Sequence, residues 1–183
     1  MDAKWEQLLL KVQKPARYTG GELHSVVKNK ADVDVRFAFC FPDLYEVGMS
    51  HLGMKILYSQ FNDQPYIWCE RVFAPDDDMA QLMQSENRPL WALESGDSIG
   101  EFDFVGFTLQ YEMSYPTMLY MLKLGQIPLR SADRDESYPL VVAGGPCTCN
   151  PEPIADFVDI FFIGEGEEVD LQVMRLYQAH KAS

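Results

Sequence analysis

Cys147 and Cys149 stand one residue apart beside Gly144-Gly145-Pro146, a pairing that invites thiol chemistry. Two thiolates that close cannot fill a tetrahedral zinc shell, and no third ligand lies near them in sequence. The expectation is a pair of free thiols holding no metal. Cys40 and Cys69 fall in apolar runs, where buried free thiols are common. No C-x-x-C pair and no C-x-x-x-C-x-x-C triplet occurs, and a disulfide framework is not expected in a chain of this size. The three histidines, His24, His51 and His180, support no Ser-His-Asp or Cys-His arrangement by spacing. His51 lies at the start of a helix, where a lone histidine more often caps or faces solvent than ligates a cofactor.

Four loops carry the other candidate groups. The first is Pro42-Asp43-Leu44-Tyr45-Glu46-Val47-Gly48, the second Thr108-Leu109-Gln110-Tyr111-Glu112. The third is Gly144-Gly145-Pro146-Cys147, the fourth Gly164-Glu165-Gly166-Glu167. Glycine lets a ligand approach the backbone or supplies a positive φ, although strand-to-helix turns need it for structural reasons alone. The phosphate-binding glycine motifs are absent, and the acids after Gly164 would repel a phosphate. Glu167 and Glu168 instead suit the start of a final helix. Asp76-Asp77-Asp78 reads as a helix cap rather than a magnesium site.

The elements that would position these loops alternate. An amphipathic helix over 3–13 sets Trp5, Leu8, Leu9 and Val12 at helical spacing. Strands are predicted at 33–41, 67–74, 89–95, 102–109, 140–145 and 158–164. Helices are predicted over about 12 residues ending near Asn62, after a loop at 41–50, then from Asp76 to Asn87, from Ser114 to Gly125, and after Glu167. Strands alternating with helices of that length imply βαβ units: a three-layer, doubly wound, mostly parallel sheet of flavodoxin-like or Rossmann-like type. In such a sheet all four loops leave the carboxyl ends of strands, on one edge, where ligands bind. Residues 1–31 read as an N-terminal helix and irregular extension, and 32–183 as the α/β domain.

The chain has 183 residues and a formal net charge of −13, with 47% hydrophobic residues. The apolar content supports a real core, and the charge argues against a nucleic-acid groove over the whole surface. From Lys14 to Lys30, however, four basic residues (Lys14, Arg17, Lys28, Lys30) accompany one acid, Glu22. That stretch offers a local patch for nucleic acid. No apolar run is long enough to span a membrane, and the N-terminus lacks the order of a secretory signal, so the expected location is the cytoplasm.

Val141-Val142-Ala143-Gly144-Gly145-Pro146, then Asn150-Pro151-Glu152-Pro153, Asp159 and Gly164-Glu165-Gly166-Glu167, resemble the cobalamin-binding-type domain that precedes the barrel in many radical SAM proteins. Phe104-Val105-Gly106-Phe107-Thr108 is similar to that domain's fourth strand. FPDLYEVGMSHLGMKILY (41–58), ERVFAP (70–75) and LESG (93–96) resemble one uncharacterised subfamily of radical SAM proteins. The resemblance implies a radical SAM barrel downstream in cis, which alone would hold a 4Fe-4S cluster and S-adenosylmethionine. The chain stops where that family continues into the barrel, so by itself it is expected to be inactive.

The resemblance further implies cobalamin as the cofactor of this domain. Its contacts would come from Asp43, Tyr45, Glu46, Gly48, Thr108, Gln110, Gly144, Gly145, Pro146, Cys147, Gly164 and Gly166. The D-x-H-x-x-G cobalamin signature is absent, and Cys147 stands where many related domains carry histidine. Cobalamin would therefore bind without a protein histidine. Two other readings remain open: a vacated cofactor site serving as a protein or nucleic-acid docking domain, and a flavodoxin-like mononucleotide binder.

Overall fold

The computed structural model describes residues 3–181, and the side chains from Glu6 to Lys181. The side chain of Trp5 lies outside the described part. Ala3–Leu9 forms α1, shorter than the predicted helix, and a 3-10 turn follows at Pro15–Tyr18. β1 (Val35–Phe41) leads through α2 (Tyr45–Ser50) and α3 (Leu52–Asn62) to β2 (Ile67–Phe73) and α4 (Asp77–Ser85). β3 (Phe104–Thr108), α5 (Tyr115–Leu124), β4 (Leu140–Gly144), β5 (Ile160–Phe161) and α6 (Gly166–Lys181) complete the chain. The five strands are all parallel, in the order β2-β1-β3-β4-β5. This is the flavodoxin-like doubly wound order, whose switch point lies between β1 and β3.

Alternation along β1 divides the core. Val35, Phe37, Phe39 and Phe41 face the layer of α3 and α6, packing with Met54, Phe61 and Met174. Ala38 and Cys40 face α4 and α5, packing with Met79, Met83, Met118 and Met121. Both sets are buried, which explains the near-continuous apolar run in the sequence. Gly106 on β3 makes room for the first layer. A Cβ there would lie 2.2 Å from Cζ of Phe37.

Two predicted strands differ. Residues 89–95 do not join the sheet and make only one antiparallel bridge, Trp91 to Ser98. Their apolar residues serve a different task, covering the open edge of β2. Leu93 N–H donates to the Arg71 carbonyl at 2.9 Å, and Arg71 N–H donates to Glu94 at 2.7 Å. Ser95 N–H donates to Glu70 at 2.8 Å. Side chains thus satisfy an edge that another strand would otherwise seek. The 158–164 strand shrinks to Ile160–Phe161 at the opposite edge. The helix expected to end near Asn62 is α3, whereas the loop expected before it contains the short helix α2; His51 separates the two, and its Nδ1 accepts from Met54 N–H at 3.1 Å and caps α3.

The N-terminal segment packs onto the domain. Leu8, Leu9, Val12 and Tyr18 belong to the core beside α4. The four basic residues from Lys14 to Lys30 are engaged within the fold. Lys14 and Arg17 pair with Glu46, and Arg17 also with Asp76. Lys28 donates to the carbonyls of Asn62, Gln64 and Ile67, and Lys30 pairs with Asp97. The basic residues of the 14–30 stretch are thus engaged by groups of their own fold, with Lys14 and Lys30 still more than half exposed.

Glu94 is 1% exposed and holds both the backbone N–H and the guanidinium of Arg71, itself 9% exposed. Glu94→Ala strands a buried charge and an edge N–H, so urea denaturation should show a loss of about 3 kcal/mol. Glu94→Gln, which keeps an acceptor, should lose visibly less. A Glu94→Ala loss no larger than that of an exposed pair, about 0.5 kcal/mol, contradicts the edge-cover role.

Candidate functional site

At the carboxyl edge, a cleft of about 260 Å³ opens between α3 and α6, over the ends of β1, β3 and β4. It sits at the switch point of the sheet, where the helices leaving β1 and β3 diverge to opposite faces. Its floor is apolar: Phe37, Phe39, Phe61, Val142 and Phe162. Thr108 and Gln110 enter from the end of β3, and the Gln110 amide donates to Thr108 Oγ1 at 2.8 Å. Gly144 and Gly145 form one wall, Gly164 and Gly166 another. Gly145 has φ +98°, and a Cβ on it would meet the Leu109 carbonyl oxygen at 2.7 Å. Glycine there lets the β4 loop lie against the β3 loop, with Leu109 N–H bonded to Gly144 O and Cys147 N–H to Leu109 O.

Six of the twelve sequence-selected residues thus meet in one cleft: Thr108, Gln110, Gly144, Gly145, Gly164 and Gly166. The other six do not line it. Asp43 accepts from Leu44 N–H and, at 3.3 Å, from the Tyr111 hydroxyl, tying the first two loops together. Tyr45 packs edge-on to Phe73 and donates its hydroxyl to Glu22 at 2.9 Å. Burial and Glu22 push that phenol up to about 12. Glu46 is held down to about 2 by its own backbone N–H and by Arg17. Gly48 is buried against Phe73 and Phe41. Tyr45 and Glu46 thereby anchor the N-terminal segment. Pro146 and Cys147 belong to the 3-10 turn at Pro146–Cys149, where Cys147 packs with the core of the α5 layer beside Tyr115.

Two residues that the loops did not reveal also line the cleft, His51 and Asp170. His51 Nδ1 accepts a hydrogen bond, so the proton of the neutral ring sits on Nε2. Asp170 is 8% exposed, and its Oδ1 has no hydrogen-bond partner among the described residues. Burial, with the Glu167 carboxylate adding to it, pushes Asp170 up to about 7. Its sequence signal was an acid in an apolar helical stripe: Met174 and Tyr177 follow it at i+4 and i+7 and pack on the same face. Glu165 and Glu167 complete an acidic rim, and among the described residues no Lys or Arg lines the cleft.

A larger cavity of about 330 Å³ lies under residues 23–26, lined by Met49, Met54, Tyr58 and Arg71. It lies where the N-terminal segment bridges α3, and its one guanidinium is already neutralised by Glu22 and Glu94. The carboxyl-edge cleft is the better candidate, because it gathers loops from several strands. Among the described residues, no three His, Cys, Asp or Glu side chains come together as a metal site.

The pattern of the family described as radical SAM proteins, N-terminal, matches residues 53–183. The chain belongs to that family. It is also 29% identical over 140 residues to an uncharacterised protein of Methanocaldococcus jannaschii. That alignment covers 75% of this chain and 26% of the relative, so the chain spans about a quarter of the relative's length. No solved structure matches. The family match takes in α3, β2, β3, β4 and α6, which supply most of the cleft. No helix among the described residues is long and apolar enough to cross a membrane.

A carboxyl group raised from about 3.9 to about 7 binds its proton more tightly folded than unfolded. Its contribution to stability is therefore full below pH 4 and is lost as pH rises to 7. Asp170→Asn should match wild type near pH 4 and exceed it in stability at pH 8. The gap should grow by about 1 kcal/mol per pH unit between pH 4 and 7. A gap independent of pH, read by urea denaturation across that range, contradicts the buried, unpaired state of Asp170.

Proposed function

We propose that this domain is the cofactor-holding N-terminal module of a radical SAM protein, and that its carboxyl-edge cleft cradles cobalamin above a following catalytic barrel. The observation that carries the reading is the convergence of two glycine-bearing loop walls, the Thr108–Gln110 segment and an apolar floor at the switch point. The donor set fits a large, amide-bearing ring lying across the mouth better than it fits a phosphate. Gly164, with φ of +109°, leaves backbone open where a side chain would stand, while Gly145 lets the β4 loop lie against Leu109. Gln110 and the orphaned Asp170 oxygen offer hydrogen bonds to amides. At about 260 Å³ the cleft is smaller than the about 300–1,000 Å³ typical for drug-sized ligands, so most of a corrin would rest outside it. Cobalamin, when bound, supplies the cobalt–carbon chemistry, and the protein supplies position and electrostatics.

His51 does not serve as the cobalt ligand in this reading. Its Nδ1 lone pair is spent on capping α3, and a neutral imidazole has only one lone pair. Ligation through Nε2 would require giving up the cap or forming an imidazolate. The mononucleotide reading finds little support in the cleft, whose charged lining among the described residues is acidic: Glu165, Glu167 and Asp170. The docking reading is favoured by one observation: Leu52, Met113 and Ile163, each adjoining a cleft loop, are 69%, 79% and 65% exposed.

A cobalamin titration followed by absorbance tests the proposal. The domain alone should bind at roughly millimolar Kd, about −4 kcal/mol, because most of the corrin is left uncovered. The protein joined to its radical SAM barrel should bind far more tightly. His51→Ala should leave the affinity within about threefold while costing about 1 kcal/mol of stability through the lost cap. Tight binding abolished by His51→Ala contradicts the histidine-free account. Absence of binding even with the barrel attached refutes cobalamin and favours the docking module.

A further inference from the structure

We infer that the cleft between α3 and α6 takes an uncharged purine ring in nucleoside form, held by the side chain of Asp170, and rejects the phosphorylated nucleotide. The inference deepens the reading of this cleft as a ligand site and names what enters its depth. It does not depend on cobalamin being the group at the mouth.

Size and surface set the first limits. The cleft is small, and its deep wall is aromatic and aliphatic, with Phe37, Phe39, Phe61, Val142 and Phe162. A flat heterocycle satisfies such walls by stacking and edge contacts. Charge sets the next limit. The amino end of α6 would ordinarily attract an anion, but its first turn already carries Glu167 and Glu168, and Glu165 precedes it. With no Lys or Arg in the lining among the described residues, a phosphate would meet Glu165, Glu167 and Asp170 along one wall and find no cation on the others. A neutral nucleoside carries no such penalty.

Asp170 selects among neutral rings. It is nine-tenths buried with Oδ1 unpartnered, a state that costs free energy unless a ligand or a proton relieves it. In the neutral form a carboxyl group presents one donor and one acceptor side by side. That pair matches the acceptor and donor of an amidine edge, as in the N1 and N6 positions of adenine. The ionised form presents two acceptors and loses one of the two bonds. The charged and titratable groups facing Asp170 are Glu167 on its own helix, Glu165 on the preceding loop and His51 at the start of α3. The strand residues beneath it carry no charge. Gln60 of α3 contributes a neutral amide, bonded to the Glu167 carbonyl. The carboxyl therefore sits near half-protonation at neutral pH, raised to about 7 by burial and Glu167.

Calorimetric titration of the folded chain with adenosine and with AMP at pH 6.5 and 8.5 tests this. Adenosine should bind at pH 6.5, with AMP at least about tenfold weaker, and adenosine affinity should fall at least about tenfold by pH 8.5. Asp170→Asn keeps a donor and an acceptor and should bind adenosine equally at both pH values. Asp170→Leu should lose about tenfold at pH 6.5. Circular dichroism checks that each variant is folded. AMP binding as tightly as adenosine, affinity rising with pH, or unchanged affinity in Asp170→Leu would each overturn the inference. Adenosine bound with these dependences while cobalamin fails to bind sinks only the cobalamin reading. Cobalamin bound while adenosine fails sinks only this one.

Discussion

Phe37 lies over Gly106, in the space that a side chain on β3 would otherwise fill. Its ring touches Phe61 of α3 at 4.9 Å and stacks on Phe104 of β3 at 5.9 Å between centroids. Phe104 in turn meets Tyr177 of α6 at 4.7 Å, and the Tyr177 hydroxyl donates to Asp103. One aromatic chain thus fastens both helices of this layer to the central strands. Because β1 and β3 are the strands between which sheet growth reverses, the helices bracket the switch point rather than covering it. The cleft is the gap that remains, and the loops that enter it follow from the parallel pairing of the strands.

The acidity of the chain has a matching internal logic. Its cations are mostly spent within the fold: Arg17 on Glu46 and Asp76, Arg36 on Glu70 and Asp97, Arg71 on Glu22 and Glu94, Arg134 on Asp159. These pairs clamp the N-terminal segment, the edge cover and the loop before β4 to the sheet. The charged groups left around the cleft are acids, Glu165, Glu167 and Asp170, which suits a neutral ligand and disfavours phosphate.

Much of this could be read from residue order. The runs at 35–41, 67–73, 104–108 and 140–144 are strands because β-branched and aromatic residues there bury both faces. Parallel pairing then places the glycine loops on one edge without further information. Segment 89–95 misled because Leu90, Trp91 and Ala92 are buried as a strand's residues would be, yet they cover an edge instead of extending the sheet. Asp43, Tyr45 and Glu46 stand on the right edge but are engaged by Glu22, Arg17 and Tyr111. Those partners lie 23 to 68 residues away in sequence, and single-chain spacing cannot supply such pairings. Asp170 was hidden because an acid near a helix start ordinarily reads as a dipole partner. Only packing shows that it points into an apolar layer.

The central claim is that the carboxyl-edge cleft, not the cavity beneath the N-terminal segment, is the ligand site. Amide shift mapping by NMR, with adenosine or cobalamin titrated into isotope-labelled protein, addresses it most directly. The account predicts that shifts gather at 51–57, 106–110, 144–145 and 164–170. Shifts confined to 23–26 and 58–63, around the larger cavity, or scattered without a focus, would contradict it.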